Sequence, residues 1–216
     1  MSQLLTKTLE QTILDRRSVR RYRPNVSIPE QDLKKILKLA GDAPSAWNLQ
    51  HWRFLVIDDP ESKKKVLPAA NHQQQVMEAS AVLVILGDLE AYKMYETVFG
   101  PMVRAGFMKQ EAYEAMEENI RNAYANDRQF ARDEAFRNAS LAAMQLMLAA
   151  KSEGYDTCPM SGFDPQALTE VLNIPERYVP VMMITIGSAM RQAHRTRRLP
   201  VEQFIIKNRF SPVPSE

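Results

Sequence analysis

From Ala139 to Ala150 nearly every side chain is apolar, with Ser140 and Gln145 the exceptions, and this stretch lies inside a longer helical pattern. Asp127 supplies an N-cap, and Phe130, Phe136, Leu141, Met144, Met147 and Leu148 are among the apolar positions. The pattern runs to about Glu153, with Gly154 as its stop. A helix that is apolar all round must be covered on every side. In any fold this chain adopts, that helix is therefore either central in the core or buried in a subunit interface.

The remaining pattern supplies elements that could form such a cover. Leu4, Leu5, Leu9, Ile13 and Leu14 recur at helical spacing, predicting an amphipathic helix over about 3–15. Ser27-Ile28-Pro29-Glu30 predicts a second helix through Leu33, Ile36, Leu37 and Ala40 to Gly41, with Ser27 as N-cap and Glu30 at the third position. Phe54–Ile57, Ala81–Leu86 and Val179–Ile186 read as strands, the second apolar on both faces as in the middle of a covered sheet. Short helices are expected over Glu61–Leu67 and from Asp164-Pro165 through Leu172, and Tyr92–Ala125 reads as a peripheral excursion with helices within Met108–Ala123. Helices come first, then strands separated by helical segments, which gives an α+β class. At 216 residues, with no repeat and no linker, the chain suits one domain over 1–216, with an excursion at about 90–126 and a C-terminal arm at about 195–216. In that arm Phe204-Ile205-Ile206 has no obvious place in a compact monomer and could wrap a partner subunit.

Several function classes fail on composition or spacing. The net charge of +2 is too small for nucleic-acid binding over the whole surface, so the basic clusters Arg16–Arg23 and Arg191–Arg198 must be judged locally. The lone Cys158 excludes an intrachain disulfide and suits a reducing cytoplasm, where it reads as buried and inert. The longest strongly apolar run, Val82–Leu86, is far too short to cross a bilayer, so a cytoplasmic protein without a membrane partner is expected. His51, His72 and His194 are far apart and form no paired-ligand motif, which argues against a metal site. No Gly-x-Gly occurs, so neither a dinucleotide fingerprint nor a phosphate loop is available. Ser161 has Gly162 beside it but no glycine two positions earlier, which rules out a hydrolase elbow.

Three features remain. Arg16-Arg17-Ser18-Val19-Arg20-Arg21 packs four arginines and a hydroxyl into six residues, either as a solvated basic face or as an anion site, because guanidinium groups bind phosphate oxygens in forked pairs. Ala43–Gln50 combines loop formers with Trp47, and with Trp52 just beyond, more aromatic surface than a plain linker needs. Asn71–Gln75, rich in amides, lies just before the second strand. No acid, base or nucleophile accompanies them, and chemistry without such groups usually belongs to a cofactor.

At these residues the chain resembles the nitroreductase family of flavin-dependent oxidoreductases. Arg16-Arg17-Ser18-Val19-Arg20 resembles its N-terminal phosphate motif, and Ala43-Pro44-Ser45-Ala46-Trp47-Asn48-Leu49-Gln50-His51-Trp52 its second motif. Cys158-Pro159-Met160-Ser161-Gly162-Phe163 and Arg195-Thr196-Arg197-Arg198-Leu199-Pro200 resemble the third and the basic C-terminal one. The resemblance implies a nitroreductase-like fold, with a central mixed sheet flanked by helices, in an intertwined homodimer about a long interface helix. It implies tightly bound FMN at the dimer interface. Arg16, Arg17, Ser18 and Arg20 would serve its phosphate and ribityl end, joined by Arg195 and by Arg197 or Arg198. Asn71 and Gln75 would meet the pyrimidine edge, in a register left open within Asn71–Gln75. Pro159, Met160, Ser161 and Gly162 would line the ring near N5, and Pro44, Ser45, Ala46 and Asn48 would come from the partner subunit. Three positions depart from the family pattern: His51 stands where proline is common, Ser161 where some members have glutamate, and Thr196 where some carry lysine.

The activity implied is NAD(P)H-dependent reduction of nitroaromatic, quinone or related small-molecule acceptors, in ping-pong fashion through flavin N5. A rival from another class is a non-enzymatic protein using the two basic clusters as a phosphate or nucleic-acid track. A third reading is a family member whose flavin NAD(P)H does not reduce.

Overall fold

A computed structural model describes residues 8–125, 127–191 and 193–210. Helix α1 (Leu9–Asp15) starts at a reciprocal capping box, in which the Thr8 hydroxyl accepts from the Gln11 amide and the Gln11 side chain accepts from the Thr8 amide. Residues 3–7 of the expected first helix lie outside the described residues. Helix α2 (Glu30–Gly41) begins later than the sequence pattern suggests, behind Pro29 and with no side-chain cap, so Ser27 is not its N-cap. The reason is steric: Ile28 precedes a proline and is biased toward extended backbone, so no helical turn can include it.

Strand β1 (Trp52–Ile57) leads into α3 (Pro60–Val66), capped by Asp59, and then α4 (Gln75–Glu78) and β2 (Ala81–Asp88). The excursion holds α5 (Tyr95–Arg104) and α6 (Gln110–Ala125), α5 being disguised in the sequence by Gly100 and Pro101 at its middle. The long helix α7 (Arg128–Ser152) begins at the expected Asp127 cap, whose carboxylate accepts from the Phe130 amide, and it is followed by Gly154 at φ +90. Strand β3 (Asp156–Met160), helix α8 (Pro165–Val171) and strand β4 (Tyr178–Gly187) complete the core. Beyond it the arm makes a single 3-10 turn, Val201–Phe204, and leaves Leu199, Phe204, Ile205, Ile206 and Phe210 exposed.

The sheet has the order β1-β2-β4-β3, and all its ladders are antiparallel. Its mixed character is thus confined to one parallel bridge, Ser18 to Thr157, where the arginine segment joins the β3 edge. β3 escapes a pattern-based reading because Pro159 interrupts it, yet proline is tolerated on an edge strand. Alternation sorts the faces. Leu83, Ile85 and Ile184 pack with Ile36 of α2 and Ala139, Ala143 and Leu146 of α7, while Val82, Val84 and Met183 pack with Val66, Val76 and Leu168 on the other side.

Helix α7 crosses β2 so closely that a Cβ at Gly87 would lie 2.9 Å from the Ala135 Cβ. Among the described residues the cover of α7 is incomplete: Leu141 is 45% and Met144 41% exposed, and Leu9, Ile13 and Leu14 of α1, which contacts α7, are exposed too.

Candidate functional site

The arginine segment is an extended strap tied to the sheet. The Val19 amide donates to the Thr157 carbonyl at 3.0 Å, the Arg23 amide to Ser188 at 2.9 Å, and the Met190 amide to Arg21 at 3.0 Å. Val19 and Tyr22 point inward, and the fully buried Tyr22 hydroxyl bonds Thr185, whose Oγ1 lies 2.9 Å away. Burial raises the Tyr22 phenol well above its ordinary range, so it stays protonated as a fixed anchor. The residues between these anchors are left facing outward.

They line a cleft of about 550 Å³ into which both ends of the chain contribute, Arg16, Arg17, Ser18 and Arg20 from one and Arg191, His194, Thr196 and Arg198 from the other. Arg21 is held by Glu78 at 3.0 Å, but among the described residues no carboxylate pairs with Arg16, Arg17, Arg20 or Arg198. Burial lowers the Arg16 pKa first, and the positive charges of Arg17 and Arg198 lower it further. Guanidinium groups crowded without a counter-charge gain most from a bound anion. Arg195 instead lines an adjoining cleft of about 300 Å³ beside Asp15, Lys151 and Asp156, and Arg197 lines neither. Among the cleft residues, Arg21, Arg191, His194 and Thr196 were not expected individually, although Arg191 and Arg21 belong to basic runs visible in the sequence.

Cys158 links this cleft to the amide loop. Its thiol is buried and its pKa is pushed up by that burial, against the pull of Arg20 and Arg16. Gln75 Nε2 approaches the sulfur at 3.9 Å and also donates to Gln73 Oε1 at 3.1 Å. Gln73 and Asn71 both donate to the Gly162 carbonyl, at 2.8 and 2.9 Å. Asn71 and His72 adopt left-handed backbone, φ 53 at each, which turns the loop toward this carbonyl. The structure therefore brings Asn71, Gln75 and Gly162 together. It adds Gln73, whose signal was its place between the two expected amides. Pro159 and Met160 lie on β3, with Ser161 and Gly162 exposed just beyond its end.

Pro44, Ser45, Ala46 and Asn48 are not brought to the cleft: no residue of their loop lines it. The loop packs against α7, where the Ala46 amide donates to Asn138 Oδ1 at 2.8 Å, and Trp47, Asn48 and Gln50 take φ values of 48, 51 and 51. His51 follows as a fully buried ring that shares a 2.6 Å hydrogen bond with the Tyr124 hydroxyl, its pKa lowered by burial to about 4. Asp88 closes the foot of the loop: its amide donates to the His51 carbonyl and its buried carboxylate takes paired 2.7 Å bonds from Arg177 and a 3.3 Å bond from Arg53.

The sequence profile of the nitroreductase family matches residues 13–188. The chain belongs to the nitroreductase family. That membership makes it an oxidoreductase, apart from the rival reading as a non-enzymatic phosphate or nucleic-acid binder. YodC of Bacillus subtilis, provisionally named an NAD(P)H nitroreductase, is 47% identical over 199 residues, which cover 92% of this chain and 98% of YodC. A provisionally named NAD(P)H:FMN oxidoreductase of Staphylococcus epidermidis superposes with a TM-score of 0.89 at 34% identity, covering 95% of this chain and 99% of that one. A provisionally named nitroreductase of Exiguobacterium sibiricum, solved in complex with FMN, gives a TM-score of 0.86 at 35% identity, with coverage of 93% and 97%. Among the described residues no helix is long and apolar enough to cross a membrane.

Proposed function

We propose that this chain is an FMN-dependent oxidoreductase, a single FMN-binding domain that takes reducing equivalents from NAD(P)H and delivers them to nitroaromatic, quinone or related acceptors. The observation that carries this reading is the crowded arginine cleft, which has no carboxylate among its described lining residues, together with the buried Cys158 between Arg20 and Gln75 and the neighbouring amides that converge on Gly162. A phosphate dianion suits the first part, and a heterocycle with a hydrogen-bonding edge suits the second. The FMN in the Exiguobacterium relative supports the choice of ligand, and the names of the Bacillus and Staphylococcus relatives support NAD(P)H as donor.

In this reading Arg16, Arg17, Ser18, Arg20 and Arg198 hold the phosphate, with Arg195 close by in the adjoining cleft. Asn71, Gln73 and Gln75 serve the pyrimidine edge, and the backbone amides at Ser161 and Gly162 face the ring near N5. When bound, FMN supplies the two-electron hydride chemistry that no side chain of this chain provides. The protein orients the reactants, and the raised pKa of the Cys158 thiol keeps it protonated and out of the chemistry.

The second loop, Pro44–Asn48, reaches a flavin held by a second copy of the chain, so the working unit is a homodimer with two sites. Leu141, Met144, Leu9, Ile13, Leu14 and the apolar arm are the exposed surface that such a dimer would bury. A reducing cytoplasm suits the lone Cys158.

The visible spectrum of the purified protein tests the cofactor: flavin bands support the reading, and a colourless preparation that takes up no added FMN overturns it. Anaerobic addition of NADPH and then NADH tests the donor, since bleaching by neither identifies a family member whose flavin NAD(P)H does not reduce.

A further inference from the structure

The loop from Ser45 to Gln50 holds a backbone that its side chains disfavour. Trp47, Asn48 and Gln50 all have positive φ, and for a residue as bulky as tryptophan that is an outlier. Such residues persist only where the surroundings over-determine them. Two of the bonds at hand are internal to the loop, the Gln50 amide donating to Ser45 Oγ at 3.0 Å and Gln50 Nε2 to the Asn48 carbonyl at 3.1 Å. The bond that ties the loop to helix α7 is the one from the Ala46 amide to Asn138 Oδ1.

Asn138 is well placed for this. It is 2% exposed, and its Nδ2 donates to the Glu134 carbonyl at 2.7 Å and to Glu134 Oε2 at 2.9 Å. With both donors satisfied one turn back on α7, the amide can present only its oxygen to the loop. Glu134 is itself buried and its other oxygen is held by Arg137, so a charged pair stiffens the base of the relay. A buried amide is costly unless hydrogen-bonded and asparagine is a poor helix former; within α7 it serves as donor to Glu134, and the use of its oxygen comes from the loop.

We infer that Asn138, backed by Glu134, is a positioning residue that fixes the left-handed turn at 46–50 in the form that meets the flavin of the partner subunit. The inference rests on the proposed placement of this loop at the flavin. Its brace can be measured without flavin.

Asn138→Leu, which keeps the number of side-chain heavy atoms but removes the acceptor along with the two donations to Glu134, should speed amide exchange in residues 46–50 of the apoprotein at least tenfold while leaving β2 and β4 unchanged. In the same variant the Kd for FMN, read by quenching of flavin fluorescence, should rise about tenfold or more. Loop exchange at the wild-type rate, or exchange rising together across the sheet, overturns the brace. A loosened loop with unchanged FMN affinity overturns the link to the cofactor. If the wild-type protein takes up no FMN, the functional reading fails and the link falls with it, while the exchange data still decide the brace.

Ala46→Pro deletes the donated hydrogen without opening the core, and Ser45, at φ −145 and ψ 155, already has the extended backbone that a following proline requires. It should weaken FMN binding to a similar degree, and adding Asn138→Leu to it should change little further. Independent, additive losses would show that the two residues do not act through one bond.

Discussion

The arginine cleft and the Pro44–Gln50 loop present polar groups in opposite ways. In the cleft the backbone is relaxed and extended, hydrogen-bonded to β3 and to residues 188–190, and long charged side chains do the presenting. In the loop the backbone itself is the presented surface, forced into left-handed turns and held by buried groups on remote elements: Asn138, His51 with Tyr124, and Asp88 with Arg177. The first design is sensitive to its charges. The second depends on a core that must remain neutral or paired where it is buried. Damage to the cleft should therefore cost ligand, and damage to the loop's deeper supports at His51 and Asp88 should cost stability.

The largest expected effect is on the loop's foundation. Asp88→Ala leaves Arg177 and Arg53 without their buried counter-charge, so unfolding in urea should show a loss of about 4 kcal/mol. A loss under 1 kcal/mol would mean that the loop does not depend on this pair. Acid comes next. His51 has a folded pKa of about 4 against an ordinary 6.5, so the folded state binds fewer protons than the unfolded chain in that window. The associated stability is complete above about pH 6.5 and is lost as pH falls toward 4, by up to about 3 kcal/mol. Urea midpoints across this range should fall in the wild type and flatten in His51→Gln; equal slopes would remove His51 from the account.

Smaller effects should appear at the cleft and leave stability intact. Arg16→Ala removes charge-assisted bonds of about 2 kcal/mol, raising the Kd for FMN roughly 30-fold, with activity falling only as flavin is lost. Retained flavin with lost turnover would contradict the phosphate assignment. The finest test separates neighbours on the arm: Arg198→Ala should weaken FMN binding about tenfold, and Arg197→Ala, which lines neither cleft, should change it little. The reverse order would move the phosphate out of the cleft.

The same contrast explains what was legible in the sequence. The helices α2, α6, α7 and α8 and three of the four strands follow from periodicity, caps and apolar runs, because each of those signals is local. The fourth strand was hidden by Pro159 and the start of α2 was displaced by Pro29, both cases in which one ring overrides its neighbours' pattern. Within the site, the arginines were visible because charge in a short run needs no context. His194 and Asn138 were not, since an amide or an imidazole gains a role only from what folds against it, and the choice of Gln73 within the open register of Asn71–Gln75 waited on the fold for the same reason.

The sequence by itself determined that α7 exists, that it needs cover on every side, and that a basic cluster sits near each end of the chain. Only the tertiary structure decided that the two clusters share one cleft, that Arg198 lines it while Arg195 falls to its neighbour, and that the second loop is braced by Asn138 at a distance from that cleft. The physical reason is range. Helix periodicity and charge act between residues a few positions apart, whereas a strap pairing with a sheet edge, or an amide accepting a bond from a strained turn, joins residues that only the folded chain brings within 3 Å of one another.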